Sequence, residues 1–240
     1  TLGADDGIGV ATALAILDAN DIEHGPIECL FTVDEETGLS GASALSPEAL
    51  KSRILLNLDS EDEGEIFIGC AGGVDTLAKL PFDKEETPAG AYFRIYVKGL
   101  KGGHSGDDIN KGLGCANKLL NRILWAADKE MDMRLATFDG GNLRNAIARE
   151  AYADVVVMEQ EAEDLKQLVA KYSDELKYEF RSTEPNMQVG IEAIPMPEFV
   201  VDMLSQDNLL NVLYACPHGV LSMSREIPGF VETSTNLASV

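Results

Sequence analysis

The run Ile27-Glu28-Cys29-Leu30-Phe31-Thr32-Val33 stops abruptly at Asp34-Glu35-Glu36-Thr37-Gly38. A mostly apolar run of that length reads as a strand covered on both faces, the kind found in a parallel sheet. Its acidic end is where an open α/β sheet usually mounts chemistry, because the backbone is held up to that point and the following loop faces solvent. Neighbouring residues on an extended backbone point to opposite sides, so Glu35 and Glu36 can do different work, one holding a cation and the other a proton. The plain alternative is a solvated acidic turn. Carboxylates at other element ends decide between the two.

Upstream, Asp5 and Asp6 lie between Gly3 and Gly7 and open a helical pattern, Ile8, Ala11, Leu14, Ile16 and Leu17, expected to run to about Asn20. Downstream, Ser46-Pro47-Glu48 has the form of a helix start. Arg53 to Leu58 is a further strand-like run, and it ends in Asp59-Ser60-Glu61-Asp62. Helices alternating with continuously apolar strands imply a parallel sheet with right-handed crossovers, so Glu35, Glu36 and Asp59 are expected along one sheet edge. Asp5, Glu35, Glu36 and Asp59 together suit a pair of divalent ions bridged by one carboxylate. Zinc prefers nitrogen or sulfur alongside oxygen, and His24, His104 and His218 lack the close acidic spacing of a helical zinc motif.

Glu65 to Leu80 is again strand-like, broken at Ala71-Gly72-Gly73, and the Pro- and charge-rich stretch Pro81 to Gly90 marks a boundary. The expected division is residues 1–80, part of a catalytic, metal-binding domain, and residues 81–240, a lid domain. In the second part Ala91-Tyr92-Phe93-Arg94-Ile95-Tyr96-Val97-Lys98 alternates as a half-exposed antiparallel strand does. Helical patterns over 113–127, 161–180 and 199–214 and strand patterns over 133–138, 152–157 and 187–194 follow. The order strand, helix, strand, strand, helix, strand predicts a small sheet with helices on one face. The fold class is therefore α/β, with a mainly parallel catalytic part followed by an α+β part.

In 240 residues, 41 Asp and Glu stand against 19 Lys and Arg, a formal charge of -22. Such a surface repels nucleic acid and anionic lipid, and cations are its natural partners. Four dispersed cysteines, Cys29, Cys70, Cys115 and Cys216, read as reduced, mostly buried thiols. No stretch approaches the roughly 20 apolar residues of a membrane span, so a cytoplasmic protein is expected. Thr1 at one end and Asn236-Leu237-Ala238-Ser239-Val240 at the other read as an internal fragment of a longer polypeptide. No phosphate loop or nucleophile elbow occurs, and Gly102-Gly103-His104-Ser105-Gly106 lacks the spacing of a dinucleotide fingerprint.

Four segments, Thr1-Leu2-Gly3-Ala4-Asp5-Asp6-Gly7-Ile8-Gly9, Glu35-Glu36-Thr37-Gly38, Asn57-Leu58-Asp59-Ser60-Glu61 and Gly99-Leu100-Lys101-Gly102-Gly103-His104-Ser105-Gly106, closely resemble the aminoacyl-histidine dipeptidases of the M20 group of dinuclear zinc peptidases. The resemblance continues through Gly140-Gly141-Asn142-Leu143-Arg144-Asn145-Ala146-Ile147 and Val231-Glu232-Thr233-Ser234. It implies that Asp5 bridges two metal ions, that Glu36 and Asp59 each complete one ion, and that Glu35 is the general base. His104 resembles the second-domain histidine that steadies the oxyanion, and Arg144 and Asn145 match a turn that meets the substrate. It also implies two divalent ions, zinc first with cobalt or manganese as alternatives, a small peptide as substrate, and a homodimer through the lid domain. The nearest alternatives are an M20-type aminoacylase or carboxypeptidase, and a non-catalytic acidic module that binds cations or a partner. The chain departs from the family pattern in lacking counterparts of its two histidine ligands, and Ala148 stands where relatives often have Pro. Weak zinc binding and little peptidase activity are therefore expected of this chain alone.

Overall fold

A computed structural model describes residues 6–36, 38–60 and 64–240. The chain divides into two compact units, one ending at Gly73 and one spanning Val74–Val240. In the first unit, helix α1 (Gly7–Asp18) starts where the sequence predicts, because the Asp6 carboxylate accepts a hydrogen bond from Gly9 N at 3.1 Å. A single helical turn, α2 (Ser40–Ser43), follows the acidic turn.

The expected strands over 27–33, 53–58 and 65–80 form no ladder, and no helix starts at Ser46. A central strand needs hydrogen-bonded neighbours on both edges and cover on both faces. Among the described residues these runs have neither, and Ile54, Leu56 and Ile68 stand 83%, 82% and 100% exposed. A different tie joins the first run to the residues just before the second: the Glu28 carboxylate takes the backbone N–H groups of Lys51 and Ser52 and the Ser52 hydroxyl. The Ser52 hydroxyl above all holds the Glu28 carboxyl below its usual pKa. Around Ser46 the chain makes one turn, with Ala49 N bonded to Ser46 O, and then leaves for that carboxylate.

The second unit is α+β, as its pattern predicts. In chain order its elements are β1 (Lys84–Glu85), β2 (Ala91–Lys98), α3 (Ala116–Glu130), β3 (Arg134–Gly140), β4 (Ala151–Val157), a short 3-10 turn, α4 (Ala162–Glu179), β5 (Gln188–Ala193), β6 (Val200–Val201), α5 (Met203–Ala215), β7 (Gly219–Met223) and β8 (Val231–Thr235). The main sheet has the order β3-β4-β2-β5 with every pair antiparallel. Phe93, Ile95 and Val97 on β2 face the same side as Val155, Ala153 and Ala151, their cross-strand partners. Leu120, Ile123 and Leu124 of α3 and Leu165, Val169 and Leu176 of α4 join them in one buried cluster. On register-paired positions, Arg94 grips Asp154 with two bonds of 2.7 and 2.8 Å, which fixes the pairing of the two central strands. Two small pairs complete the unit, β1 with β6 and β7 with β8.

Candidate active site

In the first unit the acidic turn is tightly wound. Leu39 N bonds to Asp34 O at 2.9 Å, and Ser40 Oγ donates to Asp34 Oδ2 at 2.8 Å. Asp34 and Leu39 both adopt positive φ, an uncommon conformation for such side chains and one held here by those bonds. Glu35 and Glu36 ride on the outside of the turn, exposed to solvent. Asp59 is exposed as well, with its backbone N–H bonded to Asn57 Oδ1 at 3.3 Å. A β-carbon on Gly9 would lie 3.1 Å from Leu58 Cβ, so the start of α1 packs close beside Asp59. Asp5 lies outside the described residues. Carboxylate oxygens are suitable donors for divalent cations, but the described residues contain no group of three or more His, Cys, Asp or Glu side chains able to hold one. Glu36 and Asp59 are thus at most part of a ligand set.

The second unit brings three of the sequence-predicted residues together. Ser105 N donates to Asn145 O at 2.8 Å and Ile147 N donates to Gly103 O at 2.9 Å, so His104 and Ala146 form an isolated antiparallel bridge. His104 therefore lies directly beside the Arg144-Asn145 turn, some forty residues later in the chain. Asp108 Oδ2 accepts from His104 N at 2.6 Å, and its carboxyl is held below the usual range by Lys111 first and then by that amide. A β-carbon on Gly103 would sit 2.6 Å from the same oxygen, so glycine is required there.

The His104 ring is oriented by the loop itself. Gly106 N and Asp107 N both donate toward Nδ1, at 3.1 and 3.4 Å. Amides only donate, so Nδ1 must offer its lone pair and the neutral ring carries its proton on Nε2. Asp107 Oδ2 is 3.6 Å from the same nitrogen, too far to compete as an acceptor, and Asp107 is 90% exposed. The ring is 53% exposed and can present an N–H donor to a ligand.

Arg144 Nη1 pairs with Asp75 at 3.1 Å on the surface, with side-chain exposures of 62% and 69%. An exposed pair of this kind is worth about 0–1 kcal/mol, so Arg144 can exchange it for another carboxylate at small cost. Behind the turn, Asn236 Nδ2 donates to Ala146 O at 2.8 Å, and Val240 and Gly140 exchange two backbone bonds of 2.9 and 3.2 Å. An open cavity of about 500 Å³ lies along this turn, lined by Asp139, Asn142, Leu143, Ala146, Arg149 and Tyr152 among others.

Sequence reading missed Glu184. It is 2% exposed, and its two carboxylate oxygens accept from Lys101 N at 2.8 Å and Gly114 N at 2.9 Å, the two ends of the His104 loop. Glu184 sits in a polar turn, Ser182-Thr183-Glu184-Pro185-Asn186, and nothing local distinguishes it from a solvated charge.

Residues 89–184 match the family model of the M20 peptidase dimerisation domain. The chain is 46% identical, over 100% of its length, to the cytosol non-specific dipeptidase of Escherichia coli strain K12, of which it covers 50%. It shares 46% identity over 68 residues, 27% of this chain, with peptidase T of Salmonella typhimurium, covering 16% of that protein. The crystal structure of aminoacylhistidine dipeptidase from Vibrio alginolyticus superposes with a TM-score of 0.80 at 44% identity, covering 100% of this chain and 49% of that one. The chain thus spans about half the length of the two dipeptidases it matches from end to end. Residues 89–184 resemble the M20 peptidase dimerisation domain, and along its entire sequence the chain is similar to two dipeptidases about twice its length.

Proposed function

We propose that this chain is part of a dinuclear metal-dependent dipeptidase that hydrolyses short unblocked peptides, Xaa-His dipeptides among them. The observation that carries the reading is the 46% identity, over the whole chain, to a cytosol non-specific dipeptidase. Residues 1–80 would be part of the metal-binding catalytic domain and residues 81–240 the lid, through which two copies pair. The match of residues 89–184 to a dimerisation domain supports the pairing. The relative's cytosolic name supports a cytoplasmic location. Among the described residues no helix is long and apolar enough to cross a membrane.

Asp5, Glu36 and Asp59 would contribute carboxylate ligands to two divalent cations, zinc first with cobalt or manganese as alternatives, which when bound polarise the scissile carbonyl and acidify a water. Glu35 takes the proton from that water as its oxygen attacks the carbonyl carbon, and returns it to the leaving amine as the C–N bond breaks. The Nε2–H of His104 donates a hydrogen bond to the negative oxygen that develops. Arg144 is suited to the free carboxylate of a dipeptide, bidentately, and Asn145 to its backbone.

The test is steady-state kinetics of the full-length protein carrying this sequence, on Xaa-His dipeptides and on N-acyl amino acids, before and after metal chelation. Faster turnover of the dipeptides, lost on chelation and restored by zinc, is expected; preference for N-acyl substrates would make it an aminoacylase. Glu35→Gln is expected to lower kcat by about 10²- to 10⁴-fold with metal retained. Unchanged turnover in that variant would reduce the acidic turn to a surface feature.

A further inference from the structure

The His104 loop departs from the sheet after β2 and returns before α3, and both of its ends meet one buried carboxylate. Oε2 of Glu184 accepts from Lys101 N at 2.8 Å and Oε1 accepts from Gly114 N at 2.9 Å, while the side chain is almost completely sealed from water. We propose that Glu184 is a positioning residue for His104: by holding residues 101 and 114 together across the base of the loop, it keeps the ring beside the Arg144-Asn145 turn in its Nε2–H form. The proposal rests on the reading of His104 as a hydrogen-bond donor to substrate.

A buried carboxylate is costly unless its oxygens are satisfied, and a charge-assisted bond to an amide is roughly twice as strong as a neutral one. Glu184 is also well anchored. Its own N–H bonds to Phe180 O at 2.8 Å in the turn that closes α4, and its carbonyl accepts from Met187 N at 3.2 Å just before β5. The carboxylate thus ties the loop to the rigid junction between a core helix and a sheet strand. Gly114 is fitted to the contact, since a β-carbon there would lie 3.5 Å from Glu184 Cγ and 3.3 Å from Leu119 Cδ1. Within the loop, the ring tautomer is set by Gly106 N and Asp107 N donating to Nδ1 across two and three residues, and the clamp would act on these bonds by holding the width of the loop that carries them.

The experiment uses the 240-residue chain and does not need peptidase activity. Imidazole ¹⁵N shifts, with His104 assigned through His104→Gln, report the tautomer, and amide hydrogen exchange reports Ser105, Ile147 and the sheet. In the wild type a single Nε2–H form of His104 is expected. Glu184→Gln keeps the volume but turns an amide group toward one of the two donors; Glu184→Ala removes both acceptors. Both are expected to give a mixture of tautomers and to speed exchange at Ser105 and Ile147 by about tenfold or more, with β2 and β4 unchanged. An unaltered tautomer and unaltered exchange at those two amides would overturn the proposal. So would exchange that accelerates uniformly across the sheet, which would make Glu184 a residue of general stability. Loss of the tautomer with no dipeptidase activity in the full-length protein would instead uphold the clamp and refute the functional reading.

Discussion

Gly103 shows how little room the loop leaves. A methyl group there meets Asp108 Oδ2, Cβ and Cγ at 2.6, 2.7 and 2.9 Å, and the carboxylate it displaces is the one that holds His104 N. Gly103→Ala is therefore expected to cost about 1–3 kcal/mol, the range for forcing extra volume into a closely fitted site. Trp125, the one tryptophan of the sequence, lies on α3 of the same unit with its Nε1 bonded to Asn211, so urea unfolding followed by its fluorescence measures the loss. Gly25→Ala, where an added β-carbon meets nothing within 4 Å, is the control and should leave the midpoint unchanged. Of the candidate residues, His104 and Arg144 were singled out through the family resemblance of the segments that carry them, since by type alone they read equally as a loop histidine and an exposed arginine. Their adjacency was not legible, since it depends on a single two-bond bridge between distant segments. Glu184 was not legible at all: a carboxylate buried by the tertiary fold has the same local sequence as one in water.

At the scale of elements, the segment after β8 is held by His218. Its Nδ1 accepts from Leu237 N at 3.3 Å, and Leu237 O in turn accepts from Asn117 Nδ2 at 3.2 Å, which leads the chain to its pairing of Val240 with Gly140. Burial, and then the nearby Lys118 ammonium, push the His218 pKa below 6.5. The unfolded chain consequently binds a proton that the folded chain resists, and the stability this histidine contributes is present above about pH 6.5 and falls away as pH drops below it. Protonation also removes the acceptor for Leu237 N. Thermal unfolding midpoints are expected to decline on acidification more steeply in the wild type than in His218→Gln; parallel profiles would show that the histidine carries no such linkage. Element by element, legibility followed locality. Ala91–Lys98 was readable to the residue because its alternation records one buried and one exposed face. Helix α5 starts at Met203, later than the expected 199, because residues 200–201 pair as a strand and Asp202 Oδ1 then accepts from Ser205 N at 2.9 Å to cap the helix. The β7–β8 pair escaped notice because its register shifts twice between short, mixed segments. The runs at 27–33 and 53–58 have strand composition, yet a ladder is a property of two chains segments at once, and composition cannot supply the partner.

At the scale of the molecule the two units differ in what they bury. The second encloses a continuous core under two helices, whereas in the first Ile8, Ile54, Leu55, Leu56, Ile66, Phe67 and Ile68 are all largely exposed. The described residues offer Glu36 and Asp59 as carboxylate donors without a third metal-binding side chain grouped with them, and no histidine lies in the sequence near either. Zinc held by two or three oxygens, with no nitrogen or sulfur, is held weakly. The 240-residue chain alone is accordingly expected to bind zinc with a Kd no tighter than about 10⁻⁵ M in calorimetric titration, against the nanomolar or tighter binding usual for complete zinc sites. The same preparation should hydrolyse Xaa-His dipeptides at no more than about a thousandth of the rate of a full-length protein, because a water left without its cations stays near its ordinary acidity. Tight zinc binding accompanied by rapid hydrolysis would mean that the carboxylates of this chain assemble a complete centre by themselves, and the division of labour inferred from their exposure would have to be abandoned.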